Sequence, residues 1–512
     1  MARGAFAITK GRFFGWVAAF VVATLLLGPV VAVFVHADSI NDELTGEWAT
    51  VRFTLVQAIL SAFLSVALAI PVARALARRR FVGRGVLITL LGAPFILPVI
   101  VAVLGLLAVF GRGGVLNSAL GWAGVEPISI YGLQGVVLAH VFFNLPLATR
   151  IILQGWQGIP GERFRLAASL DMAPRDVFRT LEWPMLWSVL PGAAMVIFAL
   201  CLSSFAVALT LGGGPRATTI ELAIYQAFRF DFDLGRAAML ALLQLVLAGG
   251  AAALALWVAV PMGFGAGLDR VVRRWESDGA TVRVLDGGVI VLAALFLILP
   301  LTMVVLSGLA GLAKMPAAVY SAAGVSVLIA LMSTCVTMVL ALGLAQRAEI
   351  WGYLGLAISP MVVGTGLFLL INPVADPMAL ALPVIVMVNA LMALPFSVRV
   401  LGPELRAIET DFGRLADALG MAGWARMRWL YLPRLRRPMG FSAGLAAALS
   451  MGDLGVVTLF AATDWATLPL QMYRLMGAYR MEAAAGAGLL LLALSLLLFW
   501  FFDRGGRVDV DA

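Results

Sequence analysis

The sequence predicts an all-α polytopic membrane protein of about 12 transmembrane helices, arranged as two parallel six-helix repeats. Three observations carry that prediction. Of 512 residues, 62% are hydrophobic and 12% charged, with a mean hydropathy of +1.01, whereas soluble domains run at roughly 45–50% apolar and about 25% charged. The apolar segments are long and continuous, unlike the alternating strands of an outer-membrane barrel. Positions in the second half also repeat those of the first at a constant offset of 249 residues. The 53 Gly and 23 Pro fit this class, because membrane helices tolerate both.

A hydrocarbon core about 30 Å thick needs a helix of roughly 20 apolar residues. Twelve such runs lie near 14–36, 54–77, 86–111, 131–154, 187–211, 236–259, 284–309, 320–346, 351–372, 380–402, 436–460 and 484–503. The first follows Arg3, Lys10 and Arg12 and ends near Ala37 in a stretch that resembles a cleavage site. Its apolar stretch is too long for a signal peptide, so it is read as a retained span. With the N-terminus placed inside, 28 of the 36 Lys and Arg fall in inside loops. That bias predicts both termini in the cytoplasm.

The same counts exclude other classes. A net charge of +8 reflects Arg in the loops of a polytopic protein, and no nucleic-acid partner is expected. Cys201 and Cys335 both sit in apolar runs and His36 and His140 are far apart, so no metal site is expected. Neither Lys10 nor Lys314 follows a Gly-rich loop, so the chain has no phosphate-binding loop of its own. No nucleophile elbow or carboxylate–His cluster supports a membrane enzyme.

The 249-residue offset pairs Pro146 with Pro395, Arg150 with Arg399, Arg165 with Arg414, Met172 with Met421 and Pro184 with Pro433. Two halves in parallel orientation follow, residues 1–260 and 284–512, joined by a charged linker at 261–283. What repeats most clearly is a loop on the inside, at about 160–184 and again at about 409–433. In the first copy Ile159, Pro160 and Gly161 open a short helix from Glu162 to Asp171, with Leu166, Ala167 and Leu170 on one small apolar face. The second copy starts at a capping Asp411, carries Leu415, Ala416 and Leu419 on its face, and stops at Gly420 in a left-handed turn. A helix this short is unstable alone and must dock; its occurring twice suits a partner with two equivalent grooves better than a lipid surface.

These residues resemble the permease subunits of binding-protein-dependent ABC importers. That family's cytoplasmic signature is Glu-Ala-Ala, three residues, Gly, and a Pro thirteen residues beyond the Gly. Gly420 and Pro433 keep that spacing, with Ala416 as the second Ala and Leu430 to Pro433 closing the motif. Ala167 and Pro184 match in the first copy, but Asp171 replaces the Gly, and Arg165 and Arg414 stand where the signature has Glu. The stretches Tyr131 through His140 to Pro146, Leu211 to Gln226 and Ser450 to Val457 are similar to thiamine import permeases, with fused permeases for ferric iron as the nearest competitor.

The resemblance implies the ABC type I importer permease fold in the bacterial inner membrane. Thiamine, with its phosphates, would arrive on a periplasmic binding protein. ATP and Mg would be used on separate ATPase subunits, a homodimer given two docking helices on one chain; this chain itself would hold no cofactor. The docking residues would be Leu166, Ala167, Leu170, Asp171 and Met172, then Leu415, Ala416, Leu419, Gly420 and Met421. An ion-coupled secondary transporter also fits twelve spans in two halves, but leaves the repeated loops without a role.

For a cationic thiazolium, a carboxylate or aromatic faces suit the path. Asp453 lies inside the eleventh run, where an acid is a functional candidate; pairing with a backbone donor or an Arg would make it structural. The offset sets Ser204, beside Ser203, opposite Asp453. His140 and Asn144 share a helical face, suited either to a polar track or to interhelical hydrogen bonds. Gly212 to Gly214 read as a turn after the fifth run, with a phosphate contact as the weaker reading. Glu221, Asp231 and Asp233 are expected in an outer loop facing the binding protein.

Overall fold

The computed structural model describes residues 2–37, 40–92, 96–214, 217–258, 274–275, 278–460 and 465–506. Its helices run in chain order as α1 (Ala2–His36), α2 (Ile40–Arg78), α3 (Arg84–Leu90), α4 (Val99–Phe110), α5 (Val115–Trp122) and α6 (Leu133–Gly158). There follow α7 (Gly161–Ser169), α8 (Pro174–Val177), α9 (Trp183–Leu202), α10 (Phe205–Leu211), α11 (Ile220–Gln226) and α12 (Leu234–Trp257). Then come α13 (Ala280–Gly311), α14 (Ala317–Arg347), α15 (Glu349–Gly352), α16 (Pro360–Ile371) and α17 (Ala381–Ala418). The last are α18 (Trp424–Arg426), α19 (Leu432–Met451), α20 (Gly455–Phe460), α21 (Leu468–Gly477) and α22 (Met481–Gly506). No strand occurs among the described residues.

The chain is a multi-pass membrane protein. Among the described residues, ten helices are long and apolar enough to cross a membrane, and Glu349–Leu356 with Pro360–Ile371 is an apolar pair bent by 97°, a broken span or a re-entrant loop. The twelve runs read from the sequence differ from this where the chain breaks. The third run is two helices, with Pro98 opening α4 in extended geometry. The eleventh is α19 and α20, parted at Gly452–Leu454, and its first turns carry Arg434, Arg436 and Arg437. Charge and a broken backbone, both averaged away in a long hydropathy window, account for the difference. Most of the expected linker at 261–283 lies outside the described residues.

Two helices form the centre. In α6 and α17, 83% and 72% of the most apolar stretch is buried, against 28–56% in the other long helices. The first helix of each half crosses to the other: α1 packs on α14 and α16, and α13 packs on α2 and α4. Small residues permit both crossings. A methyl group on Gly366 would collide with the Pro29 carbonyl, and one on Gly105 with the Pro300 carbonyl. In an apolar solvent such close backbone approach substitutes for the missing hydrophobic drive between helices. The broken fifth and eleventh runs approach each other where the Phe205 ring nears Gly455.

Candidate translocation path and docking loops

Both central runs unwind at the same place. The α9–α10 helix breaks at Ser203 and Ser204, and the α19–α20 helix breaks from Gly452 to Leu454, so the 249-residue offset that pairs Ser204 with Asp453 also pairs the breaks. Ser, Gly and Asp are weak helix formers whose side chains or flexibility favour turns. Backbone groups freed inside a membrane need partners, and buried amides supply them in the first half. Gln57 Nε2 donates to the Cys201 carbonyl and Gln244 Nε2 to the Leu202 carbonyl, each at 3.0 Å. In the second half Asp453 Oδ1 accepts from the Gly455 N–H at 3.0 Å, which caps α20.

Asp453 Oδ2 is buried and has no hydrogen-bond partner among the described residues. One oxygen is therefore structural and the other is not committed. The two breaks face each other: a Cβ placed on Gly455 would lie 4.0 Å from the Phe205 ring and 4.0 Å from Pro360, and one on Gly452 3.2 Å from Pro98. Asp453, Ser203 and Ser204 are thus brought to one level between the halves, beside the starts of α4 and α16.

His140 and Asn144 of α6 reach the neighbouring helices, and His140 Nε2 is buried without a hydrogen-bond partner among the described residues. The His140 ring lies 3.2 Å from the Ser61 hydroxyl of α2, and Asn144 Nδ2 donates to Cys201 Sγ at 3.3 Å. Both are buried. The second half makes the corresponding tie with a different residue, Asn389 Nδ2 donating to Ser450 Oγ at 3.0 Å. The offset carries His140 to Asn389 and Cys201 to Ser450, so the repeat itself contained the signal for both.

At the end of the bundle that carries the arginine-rich loops, the two repeated loops share one stop. In the first, Met172 N–H reaches the Ala167 carbonyl at 3.0 Å and Asp171 N–H the Ala168 carbonyl at 3.2 Å. In the second, Met421 bonds Ala416 at 2.9 Å and Gly420 bonds Asp417 at 3.0 Å. This is the Schellman arrangement with a left-handed residue after the helix. Gly420 occupies it at φ 66° and Asp171 at φ 49°, so the acid replaces the glycine without changing the turn.

The helices before these stops differ from expectation in two respects. The apolar residues do not share one face: Ala167 and Ala416 are buried, whereas Leu166, Leu170, Leu415 and Leu419 are 57–64% exposed. The alanines seat the helix on the protein and the leucine pairs point outward. The second copy also has no cap at Asp411, because α17 runs unbroken to Ala418. Where the first copy has Pro160 and Gly161, the second has Glu409 and Thr410, which do not interrupt a helix.

Charged nodes invisible to the motif reading brace each loop. Glu182, fully buried, pairs with Arg74 at 2.6 Å and with Arg274 at 2.5 Å. Arg79 reaches Asp286 at 2.8 Å close by. The offset puts Tyr431 where the first half has Glu182. There Arg426 bridges Glu409 at 2.6 Å and Asp417 at 2.7 Å, and Tyr431 donates to Glu409 at 2.6 Å. Burial, then the bond to Glu409, push the Tyr431 phenol up to about 12.

At the opposite end Asp231 and Asp233 are exposed and engage Arg236, at 3.1 Å to its guanidinium and 2.9 Å to its backbone N–H. Glu221 does not join them; it is fully buried. Gly213 at φ 76° and Gly214 at φ 127° form the turn after α10, at the rim of a cavity of about 590 Å³ with Arg112, Ser129 and Tyr131.

No family model matches the chain. Whole-length relatives do. It is 42% identical over 488 residues to the thiamine transport system permease protein of Escherichia coli (strain K12), covering 91% of this chain and 90% of that protein. Its counterpart in Brucella abortus (strain 2308) is 39% identical over 514 residues, 96% of this chain and 94% of that one. That of Haemophilus influenzae is 33% identical over 472 residues, 87% of each. Identity of this extent spans both broken runs and both loops at once, and the chain therefore belongs to the family of thiamine transport system permease proteins.

Proposed function

We propose that this chain is the permease subunit of an ABC importer that carries thiamine, free or phosphorylated, across the bacterial inner membrane. Likeness to thiamine permeases along about nine-tenths of the chain carries this reading. The arginine-rich end and both termini lie in the cytoplasm, where basic loops are retained. Residues 1–260 and 284–512 act as two halves around one path, with 261–283 as the connection.

Each half offers one docking helix to an ATPase subunit. Leu166 with Leu170, and Leu415 with Leu419, enter a groove on the partner, while Ala167 and Ala416 keep the helix seated. The turns at Asp171–Met172 and Gly420–Met421 fix the angle at which each helix is presented. Two equivalent docking helices on one chain suit an ATPase homodimer, which holds the ATP and Mg. The chain is a transport subunit rather than an enzyme, and its own work is to open and close a path. Movement of a docking helix passes directly into α17 in the second half, and in the first through Phe164, Arg274 and Glu182 into α2.

A periplasmic binding protein delivers ligand at the outer end, and the exposed Asp231 and Asp233 are the contacts offered there. Within the path a thiazolium loses water, and Asp453 with Ser203 and Ser204 replaces part of that hydration. His140 and Asn144 hold the helices that position the first break. The test is uptake of labelled thiamine by cells lacking their own importer, supplied with this chain and its neighbouring binding-protein and ATPase genes, with ferric iron in parallel. Thiamine accumulation that disappears without the ATPase is expected; iron uptake alone would move the ligand, and no uptake from an assembled complex would overturn the reading.

A further inference from the structure

Glu221 is the least expected charge in the molecule. It lies on α11, where the sequence suggests a solvent-facing loop, yet it is fully buried and pairs with no cation among the described residues. The polar side chains beside it are Gln244 of the first half and Ser359 of the second. Burying an ionisable group without a counter-charge is costly. A carboxyl with no role would be replaced cheaply by an apolar residue; the 249-residue offset puts Leu470 at the equivalent place.

Its surroundings close into a ring. Ser359 precedes Pro360, which lies against Gly455, two residues from Asp453. The Phe205 ring lies on the other side of Gly455 and next to Ser204. Phe205 packs edge-on against Tyr225 at 5.5 Å, and Tyr225 is one turn beyond Glu221 on α11. Buried oxygens that accept no hydrogen bond from a well-aligned donor cluster around this ring: both Glu221 oxygens, Asp453 Oδ2, Gln244 Oε1 and, on the α2 side of the first break, Gln57 Oε1. Gln57 Nε2 donates to the Thr54 and Cys201 carbonyls, and Gln244 Nε2 gives one N–H to the Leu202 carbonyl and has the other on the side of Glu221.

We infer that Glu221 is the first half's carboxylate for a cationic substrate, acting with the second half's Asp453 across the interface. This rests on the thiamine reading above and names how the path recognises its cargo. Two buried carboxyls without a protein cation, bordered by Phe205 and Tyr225, match an organic cation with an apolar ring. Each half supplies one acid, which is why neither repeat alone shows the site.

The test uses the complete complex of permease, ATPase and binding protein in proteoliposomes. It compares uptake of labelled thiamine with that of its neutral isostere, in which thiophene replaces thiazolium. Glu221→Gln is expected to assemble, to keep the ligand-independent ATPase rate, and to lower the thiamine-to-isostere ratio at least ten-fold. An unchanged ratio overturns the assignment. If Glu221→Gln does not assemble, Glu221→Asp decides: a retained ratio with a half-saturating concentration raised at least five-fold supports it, and wild-type kinetics overturn it. A wild-type complex that takes up no thiamine overturns the transport reading itself, and the role of Glu221 with it. Wild-type thiamine uptake beside an unchanged Gln ratio removes only Glu221.

Discussion

At the residue scale, the same backbone geometry is met by different side chains in the two halves. Asp171 and Gly420 occupy one left-handed turn, and an L residue there carries about 1–2 kcal/mol of strain, less for Asp than for most. Asp171→Gly should therefore stabilise the complex by ~1 kcal/mol, seen as a higher thermal midpoint in detergent. Gly420→Leu meets open space around its Cβ, so its penalty is backbone strain rather than a clash. The variant should insert and assemble yet show reduced uptake; normal uptake would remove the second loop from the coupling route. Glu182 is a different case. Truncating it to Ala removes the buried acid that Arg74, Arg78 and Arg274 converge on, which should cost about 3–5 kcal/mol. A thermal midpoint equal to wild type would show that water replaces the carboxylate there.

Elements show where the apolar runs are divided between helices. The fifth and eleventh runs are each broken where polar residues sit between apolar ones, and side chains from neighbouring helices satisfy the freed carbonyls. Gln57→Leu removes the donor to Cys201 and should destabilise by about 1–3 kcal/mol, the cost of an unsatisfied buried acceptor. Asp453→Asn keeps an oxygen to accept from Gly455 and so preserves the α20 cap. It should lower thiamine uptake while leaving assembly and basal ATPase activity intact; unchanged uptake would return Asp453 to a capping role. The docking helices make the complementary point. Their stops were legible at Gly420 because glycine announces a left-handed turn, whereas Asp171 announces nothing until the backbone is seen.

For the whole molecule, the exchange of α1 and α13 between halves matters most. Each half's first helix is held by the other half's third-run helix, so neither half buries its own surfaces alone. Gly366→Ala and Gly105→Ala push a methyl into the Pro29 and Pro300 carbonyls respectively, and overpacking of this kind should cost about 1–3 kcal/mol each. Both variants should loosen the pairing of the halves, detected as faster proteolysis between them; an unaltered digestion rate would mean the helices shift to accommodate the methyl.

Composition and periodicity determined by themselves that the chain lives in a bilayer, because no other solvent tolerates 62% hydrophobic residues in long runs. The 249-residue offset located the loops and aligned Ser204 with Asp453, since a repeat preserves register along the chain. The tertiary structure alone decided which leucines face outward, that α17 continues through its loop, and which neighbours His140 and Asn144 reach. It also moved Glu221 from an outer loop to a buried place beside the second half. Local sequence encodes how each helix starts, stops and breaks, but burial of a charge depends on what distant helices pack around it. Ser359 and α16, which close over Glu221 from the second half, lie more than a hundred positions away, and no window along the chain contains both.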